Sequence, residues 1–343
     1  MTSKKISIKD IAKLTNTSIT TVSFVLNGKG RISKALTKTI LDAASKNGYE
    51  PNRMAVGLRT GVSKVIGLLV ENIGGPFFGE VAKIIEQEAE KLGYSIIYCS
   101  TNNSLQKAKG LIKMLSQQLV DGYIITPLKG LEKEIQNIIT NGKPVVLIDG
   151  YFPKLDIPHV LVDNAGSVYN AITCFIKAGY TKIGFVTTDL ELVQLQDRLS
   201  GYKDALHDNK LKFDNKLVLK LPFNQSREVS VHTIKEFLNR NKRLDAVFFA
   251  ANYLGTMGLQ SIKELNLSIP DDLSCISFDD DEIFSLYPPG ITTVKQPVLE
   301  IAKSAVDLLM AQLNNRELDI ANIKLQIPST LMERESTAPK ISH

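Results

Sequence analysis

Carboxylates at Asp149 and Asp279 and an amide at Asn252 fall where apolar runs give way to polar residues, a guanidinium starts a helix at Arg198-Leu-Ser-Gly201, and the rings of Phe77, Phe78, Phe223 and Tyr253 fall in loops like the first. Acceptors and forked donors of these types take hydroxyls, while rings cover an apolar face. The set suits a polyhydroxylated or heterocyclic small molecule. Asp163 and Asp280 occur in the same kind of loop and read instead as surface or helix-capping groups.

Other chemistries lack their residues. There is no G-x-G-x-x-G after a strand, no G-x-x-x-x-G-K-[ST] and no G-x-S-x-G elbow. Gly28-Lys-Gly30 has no strand before it. Cys99, Cys174 and Cys275 have no paired spacing and read as core residues, and His159, His207, His232 and His343 are scattered. No catalytic set, metal site or cofactor is expected.

A second chemistry lies in the charge distribution. Residues 1–60 hold eleven Lys and Arg against three Asp and Glu, a surplus of eight in a chain of net +5, which leaves −3 beyond residue 60. A basic head on a mildly acidic body points to a polyanion partner for the head alone.

The elements that must position these groups follow from periodicity. In the head, Ile8, Ile11 and Leu14 share one side of a short helix, with Ala12 allowing close approach. Thr15-Asn-Thr-Ser18 breaks the pattern: Asn16 tolerates a left-handed backbone, and Ser18 can cap the next helix. That helix, Ile19 to about Leu26, turns Val22, Val25 and Leu26 inward and leaves Ile19, Thr20, Ser23 and Phe24 outside. Ser33 caps a third helix carrying Leu36, Ile40, Leu41 and Ala44, which Gly48 and Pro51 end. Three short helices with a four-residue turn make a helix-turn-helix, whose second helix enters the major groove.

Beyond Gly61, apolar strands alternate with amphipathic helices. Strands are expected at 65–70, 95–100, 122–126, 145–149 and 159–162, then at 182–187, 217–221, 246–251 and 275–279. The helices expected between them include 78–92, 105–119, 131–141, 166–178, 198–208, 228–240 and 254–265. Alternation implies parallel sheets covered on both faces, and two series imply two lobes with a ligand cleft at the strand ends. The fold class expected is an all-α headpiece joined to two doubly wound α/β lobes of the periplasmic-binding-protein kind. The domain boundaries are 1–50 for the headpiece, 51–61 for a hinge connector and 62–337 for the body. Lobe 1 takes about 62–162 and 297–322, and lobe 2 about 163–296 and 323–337.

Ile8-Lys-Asp-Ile-Ala, Thr21-Val-Ser23, Val25-Leu-Asn-Gly28, Gly48-Tyr-Glu-Pro-Asn52 and Leu58-Arg-Thr-Gly61 together resemble the LacI/GalR family of bacterial regulators. Ile66-Gly-Leu-Leu-Val70, Pro76-Phe-Phe78, Val120-Asp-Gly122, Asp163-Asn164, Ser277-Phe-Asp-Asp280 and Thr292-Thr-Val-Lys-Gln-Pro297 continue the likeness through the body. The resemblance implies a homodimer or tetramer, a repressor or activator, on a pseudo-palindromic operator, controlled by a sugar-like or nucleobase-like effector, and the scattered cysteines suit a cytoplasmic protein. It matches Phe78, Thr126, Asp149, Arg198, Phe223, Asn252 and Asp279 to the effector pocket. On the DNA side the expected set is Ser18, Ile19, Thr20, Thr21, Ser23, Phe24, Asn27, Lys29, Asn52 and Leu58, the last as a wedge in the minor groove. Four departures stand out. Phe24 replaces an Arg suited to reading guanine, and Asn16 replaces the Gly of the turn. Val56 takes the place of an Arg in the connector, and Tyr253 that of an Asp in the pocket.

Rival readings are an α/β enzyme, a solute-binding protein of a transporter and a module whose head docks on acidic proteins. The missing motifs weigh against the first. The basic head and the absence of a secretory signal weigh against the second, and DNA retention that weakens with salt would separate the third.

Overall fold

The computed structural model describes residues 6–26, 28, 30–49, 61–314 and 323–340. The expected connector up to Thr60, and with it Asn52 and Leu58, lies outside these residues, as do Asn27 and Lys29. The chain divides into two compact units, one ending at Lys64 and the other beginning at Val65.

The first unit is three helices: α1 (Ile8–Leu14), α2 (Ile19–Leu26) and α3 (Lys34–Lys46). Ile11, Ala12, Val22, Val25 and Ile40 form its core, with Ile6, Ile8, Leu26, Ile32, Leu36 and Tyr49 packed around them. At 100° per residue, Val22, Val25 and Leu26 share one face, and Thr20 and Phe24 lie opposite. Two leucines depart from the periodic reading. Leu14 closes its helix 61% exposed, and Ala12 fills the inward position. Leu41 is exposed while its neighbours Ile40 and Ala44 are buried.

The second unit holds two six-stranded sheets. In chain order its strands are β1 (Val65–Val70), β2 (Ser95–Ser100), β3 (Gly122–Ile125), β4 (Val145–Ile148), β5 (His159–Val162), β6 (Ile183–Thr188), β7 (Val218–Leu221), β8 (Ala246–Phe249), β9 (Ser274–Phe278), β10 (Thr292–Lys295), β11 (Lys324–Ile327) and β12 (Thr330–Met332). Its helices are α4 (Pro76–Lys91), α5 (Leu105–Gln117), α6 (Glu132–Thr140), α7 (Asn164–Lys177), α8 (Val193–Asp208), α9 (Arg227–Arg240), α10 (Asn252–Glu264), α11 (Glu282–Leu286) and α12 (Val298–Leu313).

The first sheet runs β2-β1-β3-β4-β5-β11, parallel throughout. The second runs β7-β6-β8-β9-β10-β12, parallel except for β12. The chain passes between the lobes at Asp163, at Gln296-Pro297 and at Pro328-Ser329. The last passage corrects the expected boundary: β11 pairs with β5, so residues 324–327 complete lobe 1, and lobe 2 is rejoined only at β12. Short apolar strands buried on both faces, such as Val145–Ile148 and Ala246–Phe249, form the centres of the sheets. One apolar cluster runs through both lobes, from Ile66 and Val146 to Phe185, Phe248 and Ile276. Cys99 and Cys275 are buried; Cys174 is only half-buried, with its thiol facing Glu333, so it is not a core residue.

Candidate functional site

In the first unit, Asn16 takes a left-handed backbone (φ 48°), and Ser18 Oγ accepts a hydrogen bond from the amide of Thr21 at 3.0 Å. Those two residues set the turn and start α2. Ser18 and Thr21 are thereby engaged with each other, their hydroxyls 2.9 Å apart. Ile19 and Phe24 are large apolar side chains left 44% and 45% exposed, with Thr20 exposed beside them. Ser23 is buried, contrary to the outward placement expected for it. One residue on from Val22, it flanks the inward stripe, and its small side chain fits there. Phe24 lies over Gly30, where an added Cβ would come within 3.2 Å of its ring.

In the second unit, a cavity of about 400 Å³ lies between the lobes at the carboxyl ends of the strands, a size usual for small-molecule sites. Phe78, Asp149, Arg198, Phe223, Asn252 and Asp279 line it. Asp149 and Asp279 follow β4 and β9, which hold the same place in the two sheets. Both take left-handed backbone, φ 62° and 70°, a conformation that aspartate and asparagine tolerate better than most residues.

Arg198 lies in the second turn of α8, which begins at Val193 rather than at Arg198 as expected. The helix can seat it deeply because a methyl group on Gly201 would collide with the carbonyl oxygen of Ala165. Only glycine lets α8 approach α7 so closely. Arg198 is buried; its Nε donates to Asn164 Oδ1 at 2.7 Å and its Nη1 to the carbonyl of Ala250 at 2.6 Å. Its guanidinium stacks 3.5 Å from the ring centroid of Phe278.

Asp279 accepts from Gln296 Nε2 at 2.6 Å, and Asp149 from Gln194 Nε2 at 3.1 Å. Burial pushes Asp149 up to about 7, with the charges of Glu71 and Asp279 adding to the shift and Arg198 opposing it. Burial likewise raises Asp279 and Glu71 and lowers Arg198. Phe78 is buried, edge-on to Phe77 at 5.0 Å, and the amide of Phe223 donates to Asp189 at 3.0 Å.

Thr126 is not in the cavity lining. It is buried just after β3, its amide bonded to the carbonyl of Leu69. Asp163 caps α7 through the amide of Gly166, as anticipated, whereas Asp280 is neither a surface group nor a cap: it is half-buried and pairs with Arg334 at 2.7 Å. Sequence reasoning missed Glu71, Gln194, Gln225 and Gln296 in the lining. Glu71 directly follows the apolar run Val65–Val70, so the strand-end rule could have found it. Gln194 and Gln225 carried no such signal.

A helix-turn-helix with an exposed face and a separate two-lobed body with a charged cleft define a DNA-binding regulator that senses a small molecule. The comparisons agree. Residues 7–52 match "Bacterial regulatory proteins, lacI family", and residues 172–337 match "Periplasmic binding protein-like domain". The HTH-type transcriptional regulator RegA of Clostridium saccharobutylicum is 31% identical over 335 residues, 96% of this chain and 99% of that protein. The ribose operon repressor of Haemophilus influenzae is 30% identical over 328 residues, 95% and 98% of the two chains. A solved lac repressor dimer bound to operator and an anti-inducer shares the fold, with a TM-score of 0.86 at 21% identity over 98% of this chain and 100% of that one. This chain belongs to the LacI family of bacterial transcriptional regulators. No helix among the described residues is long and apolar enough to cross a membrane.

Proposed function

We propose that the protein is a cytoplasmic, homodimeric repressor, not an enzyme, whose hold on a pseudo-palindromic operator is set by a sugar or sugar derivative in the interlobe cavity. The observation that carries this is the buried Arg198, whose charge is shared by Asp149 of one lobe and Asp279 of the other. A ligand that exchanges contacts with such a set has different affinities for open and closed lobes, which is what a two-state switch requires. The relatives named for the ribose operon and the lac operator support the same reading. Ile19, Thr20 and Phe24 contact base edges in the major groove, with the apolar ring of Phe24 against a thymine methyl.

Footprinting the full chain on sites selected from random DNA tests the proposal. A two-fold symmetric footprint is expected, with affinity falling steeply between low and physiological salt. A single asymmetric half-site, or affinity indifferent to salt, overturns it.

A further inference from the structure

The interlobe cavity holds more negative charge than its arginine can offset. Asp149 and Asp279 share Arg198. Glu71, the third carboxylate in the lining, has the amide side chain of Asn103 beside it, and among the described residues no lysine or arginine is ion-paired with it. The cavity's other arginine, Arg227, is exposed and bonded through Nε to Gln260 at 3.3 Å.

The unpaired polar atoms of the lining are of both kinds, Gln296 Oε1 as an acceptor, Gln225 Nε2 as a donor and the Thr188 hydroxyl as either. Gln296 is buried, its Nε2 is spent on Asp279, and its Oε1 has no hydrogen-bond partner. On the donor side, Gln225 offers one unpaired Nε2. A neutral hydroxyl brings acceptors along with its one donor, whereas an ammonium brings three donors, a positive charge and no acceptor.

A second groove, of about 360 Å³, shares Pro76, Phe77, Asp279 and Gln296 with the cavity. It adds Glu80 from lobe 1, Asp281 and Glu282 from lobe 2, and Glu300, against the single cation Lys295. A low-dielectric cleft lined by one sign of charge concentrates ligands of the other sign. An anionic ligand would meet repulsion at the groove and again inside.

We propose that the effector carries a cationic amino group beside its hydroxyls, as an amino sugar does, and that Glu71 with Asp149 holds the ammonium on the lobe 1 side of the cavity. Gln225 Nε2 then serves a hydroxyl oxygen, and Phe77, Phe78 and Phe223 cover the ring. The proposal rests on the effector reading above and narrows it: phosphorylated and acidic sugars are excluded, and plain hexoses are weak ligands.

Calorimetry and thermal shift on the full chain at neutral pH test this with matched probes. These are D-glucosamine and D-galactosamine, their parent hexoses, their N-acetyl derivatives and the hexose 6-phosphates. An amino sugar is expected to bind on the order of tenfold or more tighter than its parent hexose, the scale of one charge-assisted hydrogen bond. N-acetylation, which keeps the ring and removes the charge, is expected to abolish that advantage. Glu71→Gln is expected to bring the ratio of amino-sugar to parent-hexose affinity down to near one. If Glu71→Gln does not fold, the N-acetyl comparison on the parent chain decides.

Tighter binding of a neutral or phosphorylated sugar than of its amino partner overturns the proposal and leaves the effector cleft standing. So does an amino-sugar preference that survives both N-acetylation and Glu71→Gln. A chain that holds its operator and binds no member of the panel overturns both readings.

Discussion

The two lobes place an aspartate at the same point of the same topology, and then treat it differently. Asp279 is held within reach of its own lobe: Gln296, on the segment leaving β10, donates to it, and so does the backbone amide of Asn252. Asp149 receives its hydrogen bond from Gln194, at the start of α8 in the opposite lobe. The first arrangement lies in lobe 2 and at the Gln296-Pro297 crossing between the lobes. The second exists only when they are together. Lobe 2 thus presents a preorganised wall, built on Arg198 and Asp279, while the lobe 1 carboxylate depends on closure and is the one poised near neutrality. An exposed ion pair, Lys129 with Glu191, joins the lobes at the same edge.

Arg198→Ala should do most to break this contrast, because both aspartates depend on it. The substitution takes away the charge that offsets Asp149 and Asp279 and leaves the Asn164 side chain and the Ala250 carbonyl without their donor, and each unsatisfied buried acceptor costs about 1–3 kcal/mol. Thermal unfolding should show a large loss, and calorimetry should show no effector binding. Unchanged ligand affinity would move the pocket elsewhere.

Gly201→Ala tests how that arginine is seated. Its methyl must displace the backbone of Ala165, so α8 has to move away from α7. Overpacking of this kind costs roughly 1–3 kcal/mol, with ligand affinity falling as Arg198 shifts. A variant as stable as the parent would show that the close approach does not matter.

Asp149→Asn and Asp279→Asn compare the lobes directly, since asparagine tolerates the left-handed backbone at both sites. The groups facing Asp149 are Arg198, Glu71, Asp279 and Gln194. With its pKa raised from 3.8 to about 7, the folded protein keeps a proton there that the unfolded chain has lost. This contribution to stability is therefore full at low pH and is lost as pH rises toward 7. Asp149→Asn should raise the Tm most at pH 8, less at pH 5 and not at all below pH 3.8, because asparagine never ionises and can still accept from Gln194. Asp279→Asn should lower the Tm at pH 8 and pH 5 alike, because its amide nitrogen would face either Gln296 Nε2 or the Asn252 amide, both donors. Parallel pH profiles for the two variants would erase the distinction between the lobes.

Gln194→Ala should have the smallest effect. It removes one neutral interlobe hydrogen bond, worth about 0.5–1.5 kcal/mol, and should favour the open state without unfolding either lobe. Small-angle scattering on the unliganded chain should show a larger radius for the variant. Identical scattering would mean that Gln194 does not hold the lobes together.

Much of this molecule was legible in its sequence because local physics set it. The run Val65–Val70, the helix stop at Gly48 and the left-handed turn at Asn16 follow from apolar periodicity and from backbone freedom at single residues. Nine strands of the body fell within about two residues of their observed ends for the same reason. The strand-end rule found Asp149, Asn252 and Asp279, since in a parallel sheet the carboxyl ends all face one side.

Tertiary structure decided what periodicity cannot encode. A four-residue strand such as β11 can lie at the edge of either sheet. Its pairing with β5, and hence the point where the chain recrosses, is a long-range choice. Ser23 and Leu14 changed places relative to expectation because burial depends on what packs against a helix as well as on its angular pattern. The excess of acid in the cleft is equally invisible in one dimension. Glu71, Asp149 and Asp279 are more than two hundred residues apart end to end, and only the meeting of two lobes brings them into the lining of one cavity.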